Sequence, residues 1–303
     1  MKNKPTILIT GASGFTGQHA CQHFVQLGWH VIAVVRKHHF DLTRVKVCKC
    51  NVTDKYEVTA LISKEQPDFV LHLAGLNSVA ASWEDPDQSI EANVLSTLYL
   101  LEAVRTESPR TRVVVVGSAL QHDFIKDGPP PHPYSLSKSM QMVIAESWAS
   151  LYKVNVILAK PSNLIGPGNS NGVCSVIARK IVQMEEKQQV DGKLYLNDLS
   201  IQRDFLDVRD VITAYDLLLQ SGEIGKVYEI GSGKSHALEE IVLHMKRLTK
   251  INITIEAKEN RNNEPKVKMT MKDINALGWT PTRSLHSSLS DTLNYYRNST
   301  PEQ

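Results

Sequence analysis

The chain has 303 residues, of which 42% are apolar and 22% charged, with 34 basic against 32 acidic side chains and a formal net charge of +2. That is ample material for a buried core, and the near-neutral balance gives no reason to expect a nucleic-acid or membrane surface. Cys21, Cys48, Cys50 and Cys174 form no CxxC pair and are too scattered for a disulfide framework, so reduced thiols in the cytoplasm are expected. Met1–Pro5 carries no apolar signal core, and no apolar run reaches the roughly 20 residues of a membrane helix.

Strands and helices alternate in the first half. Thr6–Thr10 reads as a strand, and residues 14–27 carry apolar positions at helical spacing. Val31–Val35, Val45–Cys48, Phe69–Leu73, Val113–Val116 and Val154–Ala159 are further apolar runs. Helical patterns lie between them at Lys55–Glu65, Asp87–Thr106 and Ser135–Tyr152. Runs this continuous suit strands buried on both faces of a parallel sheet, and the alternation predicts βαβ units in a doubly wound α/β fold. After Lys160 the loops gain Gly, Asn and Pro. Helices are expected at Val173–Glu186, Val208–Gln220, Ala237–Thr249 and Leu285–Arg297, with short strands at Val227–Ile230 and Ile253–Glu256. The expected organisation is a Rossmann-type dinucleotide domain over residues 1–160, rejoined by part of the later chain, and a smaller α/β substrate-binding cap over residues 161–298.

The first strand runs into Gly11-Ala12-Ser13-Gly14-Phe15-Thr16-Gly17, a GxxGxxG spacing between a strand and a helix. Glycines there permit a sharp turn, close approach of backbone N–H groups to a pyrophosphate, and tight helix–sheet packing. The helix N-terminus favours the phosphate charge. The second strand ends at Arg36-Lys37, where an NAD site usually places a carboxylate for the ribose 2′-hydroxyl. Two cations there predict NADP(H) as the preferred cofactor, with NAD(H) as the alternative.

Ser118 follows the fifth strand, and Tyr134-Ser135-Leu136-Ser137-Lys138 places a tyrosine and a lysine on one helical face. An adjacent ammonium, together with the positive nicotinamide of the oxidised cofactor, is expected to stabilise the phenolate of Tyr134, so that it exchanges a proton with a sugar hydroxyl or ketone near neutral pH. Ser118 would orient the same oxygen.

With these motifs assembled, the chain resembles the extended short-chain dehydrogenase/reductases, the NAD-dependent epimerase/dehydratase family that acts on nucleotide-activated sugars. The resemblance covers nearly the whole chain. It is carried by Thr10–Gly17, His72-Leu73-Ala74-Gly75, Asn93, Tyr134 with Lys138, Lys160–Gly168 and Arg203–Asp210. Gly166-Pro167-Gly168, Arg203–Asp210 and Ile230-Gly231-Ser232-Gly233 are most similar to the branch of GDP-4-keto-6-deoxy-D-mannose reductases and GDP-mannose 4,6-dehydratases.

The resemblance implies cofactor contacts at Gly11, Ser13, Gly14, Phe15, Thr16, Gly17, Arg36, Lys37, Asn51, Val52, Leu73, Ala74, Gly75, Tyr134, Lys138 and Pro161. It implies a nucleotide-diphosphate-sugar site using Asn77, Ser118, Asn163, Arg179, Arg203 and Arg261, the arginines suiting phosphate oxygens. No metal is expected. The resemblance also implies a homodimer paired through two helices per subunit; Asp87–Thr106 and Ser135–Tyr152 are the candidates, their apolar residues serving equally well to cover the sheet.

Two departures matter. Dehydratases of the family carry an acidic residue just after the serine position, where this chain reads Ala119-Leu120-Gln121-His122. Leu120 cannot transfer a proton, which argues against 4,6-dehydration. The segment from His122 to Pro133 is also short and proline-rich, and His132 within it is a candidate sugar contact or proton donor. The expected activity is NADPH-dependent reduction of the C4 ketone of a nucleotide-linked 4-keto-6-deoxy sugar. An NDP-sugar 4-epimerase is the alternative, ahead of a 4,6-dehydratase or a non-enzymatic NADP-sensing protein.

Overall fold

The computed structural model describes residues 4–37, 42–122, 128–196, 198–257 and 269–299. In chain order the first part comprises β1 (Thr6–Thr10), α1 (Phe15–Gln26), β2 (His30–Val35), β3 (Val45–Lys49), α2 (Lys55–Glu65), β4 (Phe69–His72), α3 (Val79–Glu84) and α4 (Pro86–Ile90). A π-helical segment (Glu91–Leu95), α5 (Ser96–Glu107), β5 (Arg112–Val116), α6 (Pro133–Tyr152) and β6 (Val156–Pro161) follow. Then come β7 (Asn163–Ile165), α7 (Val173–Glu186), β8 (Asp191–Leu196), β9 (Gln202–Asp207) and α8 (Val208–Ser221). The chain closes with β10 (Val227–Ile230), β11 (Ser235–Ala237), α9 (Leu238–Lys246), β12 (Asn252–Ala257), α10 (Lys272–Ala276) and α11 (Leu285–Asn298).

The central sheet has seven strands in the order β10-β6-β5-β4-β1-β2-β3. The registers from β3 through β6 are parallel, with Ile7 opposite Val31 on one side and Phe69 on the other. This is the Rossmann-type α/β arrangement, and the order reverses beside β1, where such sheets bind ligands beyond their carboxyl ends. The strands are apolar because helices cover both faces: Ile7, Leu8, Ile9, Val113, Val114 and Val115 are each 0% exposed. Burial of each Ile or Leu stabilises the fold by about 1.5–3 kcal/mol. At the sheet edge β3 instead exposes Lys46, Val47 and Lys49, and its charges discourage pairing with another chain.

Contacts divide the chain into two compact units, residues 1–161 with 212–228, and residues 162–211 with 229–303. The second unit has its own core of Ile177, Ile181, Leu194, Ile241, Met245, Leu289 and Leu293. It also holds a sheet of three strands, β11-β9-β7, and one of two, β12-β8. Among the described residues no helix is long and apolar enough to cross a membrane.

Residues 86–107 are helical throughout, as the sequence pattern predicts, with a π-helical segment between α4 and α5 that carries the extra backbone residue that widens a turn. An inward polar residue sits in that segment. Asn93 is 0% exposed, accepts from Leu76 N at 2.9 Å, and donates to Leu76 O at 3.1 Å and Ser137 Oγ at 2.9 Å. An apolar periodicity does not register a single inward asparagine. The helix starts follow local chemistry, with Asp54, Ser78 and Asp85 capping α2, α3 and α4 and Pro86 and Pro133 at first-turn positions.

Candidate active site

β1 delivers the chain into a turn that only glycine fits. Gly11 has φ +66°, and a Cβ there would stand 2.9 Å from Ala74 N. A Cβ on Gly17 would collide with Gly11 O and lie 2.7 Å from Ala12 Cα. Gly14 N closes the turn by donating to Gly11 O at 3.0 Å. Gly14 then caps α1 without a side-chain acceptor, beside the amides of Phe15, Thr16 and Gly17 at the positive end of the helix. Ser13 contributes its carbonyl to Gln18 Nε2 at 3.0 Å. Bare backbone donors and space where a Cβ would otherwise sit fit a dinucleotide pyrophosphate.

The neighbouring strand ends supply the other cofactor candidates. Arg36 and Lys37 are both exposed just beyond β2. Asn51 uses its side-chain oxygen locally, accepting from Thr53 Oγ1 at 3.0 Å, while Val52 packs on the first unit's core. Leu73 N and Ala74 N both donate to Thr10 Oγ1 at 3.1 Å, which draws the end of β4 onto the end of β1. Pro161 O accepts from Ala119 N at 2.9 Å. Gly75 and Asn77 are exposed beyond β4.

The catalytic candidates converge within the same unit. The Ser118 hydroxyl lies near enough to the Tyr134 phenol to favour its ionised form, and Ser118 Oγ accepts from Leu120 N at 3.1 Å. α6 is stitched to the segment after β5: Ser135 Oγ donates to Leu120 O at 2.8 Å, and Ser139 Oγ accepts from His122 N at 2.7 Å. Ser82 Oγ accepts from Tyr134 N at 3.1 Å. Lys138, one turn after Tyr134, is 7% exposed, and its Nζ donates to Val116 O at 3.2 Å and Gln141 Oε1 at 2.9 Å. A Cβ on Gly75 would stand 3.6 Å from that nitrogen, so the ammonium lies against the loop after β4.

The chain's own groups do not by themselves supply the expected acidification of the phenol, which includes the charge of the oxidised nicotinamide. Burial raises the pKa of Tyr134, and the Ser118 hydroxyl pulls it back only in part. Burial also lowers Lys138 to about 8. In a desolvated site the neutral phenol wins over the phenolate, and the ammonium is directed at the Val116 carbonyl and Gln141. Tyr134 therefore holds its proton at neutral pH. His132 caps α6, its Nδ1 accepting from Ser135 N at 2.9 Å, and its ring stacks on Tyr134 with centroids 6.0 Å apart. That nitrogen is occupied at the N-terminus of α6.

The second unit holds the other substrate candidates. Asn163, in β7, donates through Nδ2 to Asp204 O at 3.1 Å. Arg203, in β9, donates to Gln202 O at 3.0 Å, while the buried Asp204 carboxylate accepts from Ser232 N and Gly233 N, both at 2.8 Å. Asp207 pairs with Arg209 at 2.7 Å. Arg179 braces the 166–172 loop, donating to Ser170 O at 2.9 Å and lying over the Tyr296 ring at 5.5 Å. Arg261 lies outside the described residues, as do residues 123–127 of the short segment before Tyr134.

Sequence reasoning missed His72, Thr97 and Gln141 as site residues. They form a buried polar layer beneath Lys138. The available signals were Gln141 three residues after Lys138 and Thr97 four after Asn93, spacings that put each pair on one helical face.

A family model described as "NAD dependent epimerase/dehydratase family" matches residues 7–231. The chain is similar to a GDP-6-deoxy-D-mannose reductase of Pseudomonas aeruginosa, at 27% identity over 98% of this chain and 99% of that protein. It is also similar to the structure of RMD from Pseudomonas aeruginosa complexed with NADPH, with a TM-score of 0.80 and 27% identity over 97% of this chain and 99% of that one. The UDP-glucose 4-epimerase of Thermus thermophilus in complex with NAD shares the fold, with a TM-score of 0.84 at 22% identity over 97% of this chain and 100% of that one.

Proposed function

The chain belongs to the NAD dependent epimerase/dehydratase family and is an NAD(P)-dependent enzyme of the oxidoreductase type, and from that premise we propose that it reduces the C4 ketone of a nucleotide-linked 4-keto-6-deoxy sugar with NADPH. The observation that carries this reading is the assembled Ser118–Tyr134 pair, with Lys138 one turn on, beside an apolar Leu120. The pair can protonate an oxygen, and leucine cannot drive loss of water. Similarity over full length to a GDP-6-deoxy-D-mannose reductase supports the substrate class.

In this reading the Gly11–Gly17 turn holds the pyrophosphate. Arg36 and Lys37 attract a 2′-phosphate, and Asn51, Val52, Leu73–Gly75 and Pro161 line the cofactor. NADPH, when bound, supplies the hydride. Ser118 and Tyr134 hydrogen-bond the ketone oxygen and withdraw charge from the carbonyl. Tyr134 gives its proton to the oxygen as negative charge develops there, a task suited to a phenol that is protonated at neutral pH. The Lys138 ammonium stabilises the phenolate left behind. Asn77 contacts the sugar, and Asn163, Arg179, Arg203 and Arg261 engage the diphosphate.

The test is stoichiometric oxidation of NADPH by purified protein given GDP-4-keto-6-deoxy-mannose, with NADH less effective. Interconversion of 4-hydroxy sugars without added cofactor would replace the reading with an epimerase. Tyr134→Phe is expected to cut kcat by about 100- to 10,000-fold while NADPH still binds. Turnover near wild type in that variant sinks the assigned role.

A further inference from the structure

A chain of buried polar groups runs inward from Lys138. Gln141 Oε1 accepts from Lys138 Nζ at 2.9 Å, and Gln141 Nε2 donates to Thr97 Oγ1 at 2.9 Å. Thr97 Oγ1 donates to Asn93 O at 2.8 Å and lies 3.0 Å from His72 Nε2. His72 Nδ1 lies 2.8 Å from Thr10 Oγ1, which accepts the Leu73 and Ala74 amides. Gln141, Thr97 and His72 are 0% exposed and Thr10 is 1% exposed.

The polarity of this chain follows from one carbonyl. Asn93 O can only accept, so it takes the single hydroxyl proton of Thr97. Thr97 Oγ1 must then accept from both Gln141 and His72. That orients the Gln141 amide with its oxygen toward Lys138, and it puts the His72 proton on Nε2. His72 Nδ1 is left to accept the Thr10 proton, and Thr10 Oγ1 is left to accept the two amides. Reversing any member sets like groups face to face without water, at about 1–3 kcal/mol for each unsatisfied group. His72 is accordingly neutral, its pKa lowered to about 3 by burial and then by the Lys138 charge.

We propose that Gln141 is a positioning residue, holding the Lys138 ammonium through a one-way hydrogen-bond chain that ties it to the ends of β1 and β4. Lys138 has no such anchor within its own side chain, which is long and otherwise free to rotate. The fixed Oε1 removes that freedom and supplies a partial negative charge that favours the ammonium. The function of the anchored group rests on the reductase reading, but the anchoring does not. The titratable group whose charge couples to Lys138 is His72 from β4; β5 presents the Val116 carbonyl to the ammonium, and the α5 Thr97 hydroxyl meets it only through Gln141.

Two substitutions at one position push Lys138 in opposite directions. Gln141→Glu keeps the shape and adds a charge, so the Lys138 titration moves up. Gln141→Leu removes the acceptor, so it moves down. Each displacement is expected to be about one pH unit, a tenfold change in the ratio of protonated to neutral lysine. The readout is the 13Cε-lysine resonance missing from Lys138→Met, followed against pH in the protein without cofactor. Thr97→Val, which frees the Gln141 amide, is expected to act like Gln141→Leu and serves if the leucine variant does not fold. In turnover, kcat for reduction falls about tenfold in both Gln141 variants while KM for the sugar stays within about twofold. Titrations that do not move, or that move the same way in both variants, overturn the proposal whatever the turnover. Opposite displacements in a protein that consumes no NADPH leave the positioning role standing and remove the reductase reading instead.

Discussion

Lys138→Met should erase a specific piece of the protein's pH-dependent stability. The native ammonium titrates at about 8, because burial disfavours its charge, against an ordinary lysine value of 10.5 in the unfolded chain. Between those values the unfolded chain holds a proton that the native state has released. Unfolded protein therefore binds more protons, and raising the pH favours the fold. Below about 8 both states are protonated, and the native state carries the whole desolvation penalty. Integrated across the window at about 1.4 kcal/mol per pH unit, the gain comes to roughly 3 kcal/mol. Methionine matches the length of the lysine stem but cannot titrate. It also leaves Val116 O and Gln141 Oε1 without their donor, so the stability difference at one pH mixes two effects of opposite sign. The pH slope isolates the charge. Urea unfolding of both proteins from about pH 7 to about pH 10.5 measures it, since titration of the other lysines, tyrosines and thiols is common to the pair. Wild-type stability should rise relative to the variant by roughly 3 kcal/mol across the window. Parallel curves would refute the account of a desolvated ammonium.

The same layer is acid-sensitive. His72 titrates at about 3 in the fold against 6.5 unfolded, so as pH falls through that interval only the unfolded chain gains the proton. The native state loses roughly 4–5 kcal/mol by the bottom of the interval, and His72→Gln should flatten that loss in an acid-unfolding series monitored by circular dichroism. Gly17→Ala places a methyl group against Gly11 O and Ala12 Cα, which are backbone atoms that cannot rotate away. Its expected effects are destabilisation by about 1–3 kcal/mol and at least about tenfold weaker NADPH binding, measured by thermal unfolding and fluorescence titration. Unchanged binding would mean that the turn does not carry the pyrophosphate.

Stability and chemistry pull against each other around Lys138. A buried ammonium and a buried neutral histidine are unfavourable by themselves, and they persist because each hydrogen-bonding group in the layer has a partner of the right sense. The layer meets the ends of β1, β4 and β5, where a parallel sheet presents its ligands. In the proposed reduction, rigidity there would keep Tyr134 and Lys138 in one arrangement, so that the reacting oxygen meets donors that are already oriented.

The central strands of the first unit were legible in the sequence because burial on both faces leaves a continuous apolar run, which is a one-dimensional signal. Gly11–Gly17 and the Tyr134–Lys138 spacing were legible for a similar reason, since a turn and a helical face are set by residues close in the chain. The π-helical segment at Glu91–Leu95 was not: its inward Asn93 bonds Leu76 and Ser137, which are distant in sequence. Nor was the chain from Gln141 to Thr10, whose members come from α6, α5, β4 and β1 and acquire their polarity only once water is excluded. The Tyr134 phenol makes the same point. Among the chain's own groups its pKa answers mainly to burial, which is decided by the whole fold and not by its neighbours in sequence. Residue identity and spacing determined which groups are available for catalysis, and tertiary packing, by setting their solvation and partners, decided which protonation state each one holds.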